Sequence, residues 1–174
     1  MTTLWDTIAE EATAESALWG LALRPGVERE LDPVFSPLGE ERFALGLETI
    51  YEGYLMHYGR PRLFAPPDRD NALLLGDYLY AHGLVRVASH REVEAVSDLA
   101  ELISLCAQLR AGGLDSDGAA WAASAALLGR AQLAAAREAL RIGGDSDPLL
   151  ALAFEAAGQK QVELALAAHR VRVG

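Results

Sequence analysis

Apolar positions recur along this chain at three- and four-residue steps, the period of helices lying on a core. Proline, glycine and capping residues cut the pattern into six predicted helices. The first spans residues 3–22, with Leu4, Ile8, Ala12, Leu18 and Trp19 on one stripe and Thr2 or Thr3 as its cap. Pro25, Gly26, Pro33 and Pro37 make residues 24–37 a linker. The second helix runs from about Leu38 to His57 on Phe43, Leu47, Ile50, Tyr54 and Leu55, before a loop carrying Pro61, Pro66 and Pro67. Asp68 caps a third helix, from Arg69 to about Ala88. Ser89 with Glu92 reads as a capping box that opens a fourth, on Val96, Leu99, Ile103 and Cys106, closed by Gly112-Gly113. A fifth, alanine-rich helix is expected from Asp115 or Asp117 to about Arg141. A sixth starts at Asp147-Pro148 and reaches His169, the last residues fraying. Sustained strand alternation and internal repeats are not evident. The fold class is therefore all-α, a bundle of about six helices. Its organisation is an N-terminal helix with a proline-rich linker, residues 1–37, followed by a helical domain, residues 38–174.

Asn71 to Ala88 stands out, being apolar on nearly every side, so it is expected in the middle of the bundle. Its only charge before Arg86 is Asp77, beside Gly76. A buried carboxylate needs a partner, so Asp77 is expected to be held by hydrogen bonds within the bundle.

Composition narrows the function classes. The chain has 174 residues, 51% of them hydrophobic, and a formal net charge of −10, which argues against nucleic acid as a partner. The single cysteine, Cys106, excludes an internal disulfide and sits on a core stripe, which suits packing rather than nucleophilic chemistry. The N-terminus is acidic and amphipathic rather than a secretory leader. The longest apolar run, residues 118–129, is too short for a transmembrane segment. A cytoplasmic protein is the expectation. There is no glycine-rich phosphate loop and no metal-spaced Cys/His cluster, and the four histidines share no ligand spacing.

The run A-L-L-L-G-D-Y-L-Y-A around Gly76 and Asp77 resembles the G-D helix of the polyprenyl (trans-isoprenyl) diphosphate synthases, usually A-x-L-x-G-D-x-L-x-A. Weaker matches follow in the same order over roughly residues 44–157. Glu48, Ile50, Leu55 and His57 are similar to the run that leads into the first aspartate motif. Residues 98–109 and 118–133 resemble later helices, and residues 150–155 look like the L-G-x-A-F-Q that precedes the second aspartate motif. The resemblance implies a truncated isoprenoid-synthase-like fold. In active members two D-D-x-x-D motifs hold Mg²⁺ against the allylic diphosphate, a task for hard oxygen ligands. Here Tyr58-Gly59-Arg60-Pro61-Arg62 and Ala156-Ala157-Gly158-Gln159-Lys160 stand in those places, without an aspartate.

The pattern resembles the small, non-catalytic subunit of two-component heptaprenyl and hexaprenyl diphosphate synthases. What the resemblance implies is an accessory subunit with no cofactor of its own, Mg²⁺ being expected only in a catalytic partner. Its partner is then the catalytic large subunit, or a second copy in a homodimer. The alternative is a stand-alone helical scaffold or isoprenoid-binding protein derived from that fold. Candidate substrate or tunnel residues are Tyr54, Tyr58 and Tyr78, which sit with Tyr51 and Tyr80 on adjacent helices, and Arg60 and Arg62, whose guanidinium forks suit phosphate oxygens. Core filling is the plainer role for the tyrosines, and solvated loop positions for the arginines. Gly76 and Asp77 are the structural motif. Glu48 and Glu52 stand four residues apart on one helix face, where they either hold a metal or face solvent.

Overall fold

In the computed structural model, which describes residues 2–173, the fold is all-α, with nine α-helices and no strand among the described residues. They are α1 (Leu4–Glu15), α2 (Ala17–Leu21), α3 (Ala44–Tyr58), α4 (Arg69–Ala88), α5 (Val93–Ala111), α6 (Asp117–Ala126), α7 (Ala134–Gly143), α8 (Asp147–Ala157) and α9 (Gln159–Val173). Three of the six expected helices are broken, each by a local backbone choice. Ser16 is extended, at φ −151° and ψ 133°, and its hydroxyl accepts from the Leu18 N–H, so it ends α1 and caps α2. Gly129 and Ala131 adopt positive φ, 78° and 52°, and separate α6 from α7. Gly158, at φ 85°, separates α8 from α9. Ahead of α3 the chain makes two 3-10 turns, Ser36–Leu38 and Glu41–Phe43, rather than a helix from Leu38.

The caps at Thr3 and Asp68 form as their side chains dictate. Thr3 and Asp6 exchange bonds in a capping box, and the Asp68 carboxylate accepts from the Asn71 N–H at 2.8 Å. The Ser89–Glu92 box does not form. The Ser89 hydroxyl donates back to the Arg86 carbonyl at 2.6 Å, and Glu92 pairs with Arg42 instead. The expected fraying is not seen up to Val173, where α9 is still helical and the Arg60 N–H donates to the Arg172 carbonyl at 2.9 Å; Gly174 lies outside the described residues.

The helix buried on every side is α3, not α4. Every residue from Gly46 to Met56 is buried. By contrast α4 buries only one face, Leu75, Leu79, Gly83 and Val87 at four-residue steps with Gly76 beside them, and leaves Leu74 and Val85 exposed. The two helices run antiparallel along a glycine seam. Gly53 of α3 faces the Gly76 carbonyl of α4, and Gly46 faces Gly83 one heptad further along. A Cβ on Gly53 would lie 2.9 Å from the Gly76 oxygen, so only glycine allows this approach.

One face of α3 joins the main core of α5, α6, α8 and α9 around Trp121, Phe35 and Leu102. A second cluster forms where Trp5, Ile8 and Ala12 of α1 pack with Met56, Leu63, Phe64, Leu75 and Leu79. An isolated bridge between Leu23 and Phe64, with Arg24 N–H to Leu63 C=O at 2.9 Å and Ala65 N–H to Ala22 C=O at 2.7 Å, ties the linker to the loop after α3. The N-terminal helix thus docks on its own body. No helix among the described residues is long and apolar enough to cross a membrane.

Candidate functional site

Glu48 and Glu52, one turn apart on α3, share a face as their spacing requires, but that face is buried, and an arginine fills it. Arg62 is fully buried, which corrects the expectation of a solvated loop arginine. Its Nη1 donates to Glu48 Oε2 at 2.6 Å and its Nε to Glu52 Oε2 at 3.1 Å. The second oxygen of each carboxylate is also used. Glu52 Oε1 accepts the backbone N–H groups of Arg62 and Leu63, at 2.8 and 2.7 Å, and Glu48 Oε1 accepts those of Val34 and Ser36, at 3.2 and 3.1 Å. The guanidinium lies 4.5 Å from the Trp5 ring centroid and 4.9 Å from that of Tyr51. The carboxylates stitch two irregular segments to α3, and Arg62 neutralises them. Neither a metal nor a diphosphate has a place in this node, because its donors and acceptors are already matched.

A second polar node sits where α5 ends, α6 begins and α9 passes. Asp117, at the first turn of α6, is buried. Its Oδ2 accepts from the Tyr54 hydroxyl and from Arg110 Nε at 2.8 Å, and its Oδ1 from the Gly118 N–H at 3.1 Å. Burial alone would raise the Asp117 carboxyl. His169, Tyr54 and Arg110 outweigh that and hold it at about 2. The Tyr54 hydroxyl, buried and bonded to a carboxylate, is pushed far above the usual range. His169 of α9 is buried, with Nδ1 2.9 Å from the Tyr51 hydroxyl. Its Nε2 stands 3.6 Å from Asp117 Oδ1, an ion-pair separation too long for a hydrogen bond, and has no hydrogen-bond partner among the described residues. Gly118 makes room for the imidazole, since a Cβ there would meet His169 Cδ2 at 3.1 Å. A cavity of about 310 Å³ opens here, lined by Arg110, Asp115, Asp117, His169, Arg170 and Val173.

The other expected site residues are dispersed. Asp77 is not buried: its side chain is 72% exposed, and its one ion-pair neighbour among the described residues is His57 Nε2, at 3.2 Å. The four-residue steps of α4 turn it outward while Gly76 faces the seam, where a Cβ would come 2.6 Å from His57 Nε2. Tyr54 is packed flat on Tyr51, ring centroids 5.7 Å apart, within the filled core. Tyr58 is half-buried beside it. Tyr78 is half-buried on the far side of α4 against Trp19 and His82. Arg60 is exposed, 3.9 Å from Glu30. Cys106 is buried in the core, and burial pushes its thiol well up. A third buried pair, Asp98 with Arg137 at 2.9 Å, ties α5 to α7.

His169, Asp117 and Arg110 come from three helices and share no spacing, so the sequence alone does not group them. The one available signal was Asp117 beside Gly118 at a helix start. The chain matches no protein-family model, no curated protein and no solved structure.

Proposed function

We propose that this chain is a non-catalytic, partner-dependent subunit of a polyprenyl diphosphate synthase. The observation that carries the reading is an uncovered apolar stripe on α4, the helix that bears the family resemblance. Leu74 and Val85, 59% and 66% exposed, stand with Ala81 and the half-buried Tyr78 along one side of it. Tyr78 continues the patch to Trp19 of α2, where Leu18 and Leu21 are also exposed. Contiguous apolar surface of this kind marks a protein contact. The interior supports the same reading. Glu48 and Glu52 are filled by Arg62, Asp117 by Arg110 and Asp98 by Arg137, so these buried carboxylates are committed to holding helices together. A metal-bound diphosphate needs carboxylates that converge on open space. The partner then supplies Mg²⁺ and both aspartate motifs, while this chain supplies a rigid helical wall.

The test mixes the purified chain with an aspartate-rich prenyl synthase subunit from the same host, in Mg²⁺, isopentenyl diphosphate and farnesyl diphosphate. The expected result is silence alone, with a co-eluting complex and long-chain product in the mixture. The double variant Leu74→Asp/Val85→Asp keeps the fold, because both side chains face solvent, and loses the complex. Turnover by this chain alone overturns the proposal. So does a chain that self-associates through α4 and adds nothing to the mixture, which would make it a free-standing scaffold.

A further inference from the structure

We infer that the outer face of α9 is a self-association surface, on which a second copy of this chain packs its own α9 antiparallel. The inference does not rest on the proposed subunit role. The packing partners of α9 are chiefly α6 and α8, whereas those of α4 are α3 and α5. Helix α9 is apolar on two opposite sides. Its inner side, Val162, Ala165 and His169, is buried. Its outer side carries Lys160, Leu164, Ala167 and Val171 at steps of four, three and four residues, the spacing of a helix-pairing seam. Leu164 and Val171 are 57% and 70% exposed, and Ala167 is exposed between them. Beside Leu164 and Ala168, Pro33 and Pro37 extend this surface along a shallow cleft of about 190 Å³.

What commits the face to a second copy is the fit of the stripe to itself, in shape and in charge. With Leu164 set against Ala167 of the second copy, the two-fold relation sets Ala167 against the other Leu164 as well. Each large side chain then meets a small one, and Val171 lies over the stem of the other copy's Lys160. Along one flank of the stripe stand Glu163 and Arg170, both exposed and two helical turns apart. Neither forms an ion pair among the described residues; Glu163 accepts from the Gln159 side chain at 2.7 Å. In an antiparallel pair related by a two-fold axis, like flanks face each other and run in opposite directions. Glu163 of each copy then falls beside Arg170 of the other, within about 3 Å along the axis. One seam thus makes two opposite-charge contacts. A parallel pair would set this flank against the opposite one, where Ala168 and Gln161 carry no charge. A seam of two heptads is at the small end of specific interfaces, so the dimer is weak and concentration-dependent.

The test is sedimentation velocity on the full-length chain over a concentration series. The sedimentation coefficient should rise with concentration towards that of a dimer. Glu163→Arg alone and Arg170→Glu alone each set like charges against one another twice, and should weaken self-association roughly tenfold or more. Mixed in equal amounts, the two variants should pair as well as the unaltered chain, because each offers the charge that the other lacks. Leu164→Asp should abolish the dimer. All three side chains face solvent, so the far-ultraviolet circular dichroism should be unchanged. Leu74→Asp/Val85→Asp, on α4, should leave the dimer intact. A chain that stays monomeric up to about 1 mM overturns the inference. So does a dimer that survives both charge reversals, a mixture of the two reversals that fails to pair, or a dimer that the α4 variant dissolves.

Discussion

The two buried polar nodes that hang from α3 differ in one respect. Around Arg62 each carboxylate oxygen and the N–H groups facing it are matched. Around Asp117 the carboxylate is matched, but His169 Nε2, 3.6 Å from it, has no hydrogen-bond partner among the described residues, and a cavity lies beside the node. A closed node contributes only to stability, since its desolvation is offset by the bonds it makes. An open node keeps a buried polar atom without a partner, which costs stability. The same helix presents Glu48 and Glu52 to the first, and Tyr51 and Tyr54 to the second.

The largest effect is expected at the closed node. Arg62→Met leaves two carboxylates buried without their counter-charge, which costs about 3–5 kcal/mol, measured by urea denaturation. Replacing a whole buried ion cluster by apolar residues is often neutral. Here it should not be. In Glu48→Met/Glu52→Leu/Arg62→Met, the N–H groups of Val34, Ser36 and Leu63 lose their acceptors. Full rescue by that triple variant would show that the node is only an ion pair and does not stitch the backbone.

The open node should show itself in acid. The Asp117 carboxyl titrates at about 2 in the folded chain, against an ordinary 3.8. A depressed folded value means stability that is present above the ordinary value and lost as the pH falls from about 4 towards 2. The loss is worth about 2 kcal/mol for this group. Asp117→Asn should therefore be less stable by about that amount at pH 7 and lose less on acidification. A parallel stability–pH curve for the variant would remove Asp117 from the network.

The difference between the nodes is only partly legible in the sequence. The six helical segments follow from apolar spacing, and the Asp68 and Thr3 caps from residue type. A loop position predicts a solvent-facing Arg62; what buries it is a loop folded back under Trp5, a tertiary event. The spacing of Glu48 and Glu52 puts them on one face, but it fixes the face and not what covers it. The nearly all-round apolar pattern of residues 71–88 predicts a buried Asp77. The exposed Leu74 and Val85 of α4 show that part of that apolar surface is left uncovered by the described residues. The glycine seam was written in the heptad spacing of Gly46 and Gly53 against that of Gly76 and Gly83. It becomes visible only once the two helices are known to pair.

That seam offers a middle-sized test, because it sets where α3 sits and hence the geometry of both nodes. Gly53→Ala gains up to about 1 kcal/mol in helix propensity. Its methyl, however, meets the Gly76 carbonyl, which is backbone and cannot rotate away. Overpacking of about 1–3 kcal/mol should win, for a net loss of about 1–2 kcal/mol in thermal or urea unfolding. A stabilised variant would mean that α3 can shift without disturbing either node.

The smallest effect belongs to the third acid, Asp77, which lies in neither node. Burial lowers His57, and the attraction of Asp77 recovers only part of that shift, so the ring is mainly neutral at pH 7. An ion pair with one mainly uncharged partner and one exposed partner contributes little. Asp77→Asn is expected to change stability by less than about 0.5 kcal/mol. It should also move the His57 titration midpoint further down, because the group that raises it is gone. Followed by NMR, the midpoint and the stability are separate readouts. A loss of about 2 kcal/mol would instead make Asp77 an anchor of the bundle, the role that its G-D setting implies and that its exposure on α4 argues against.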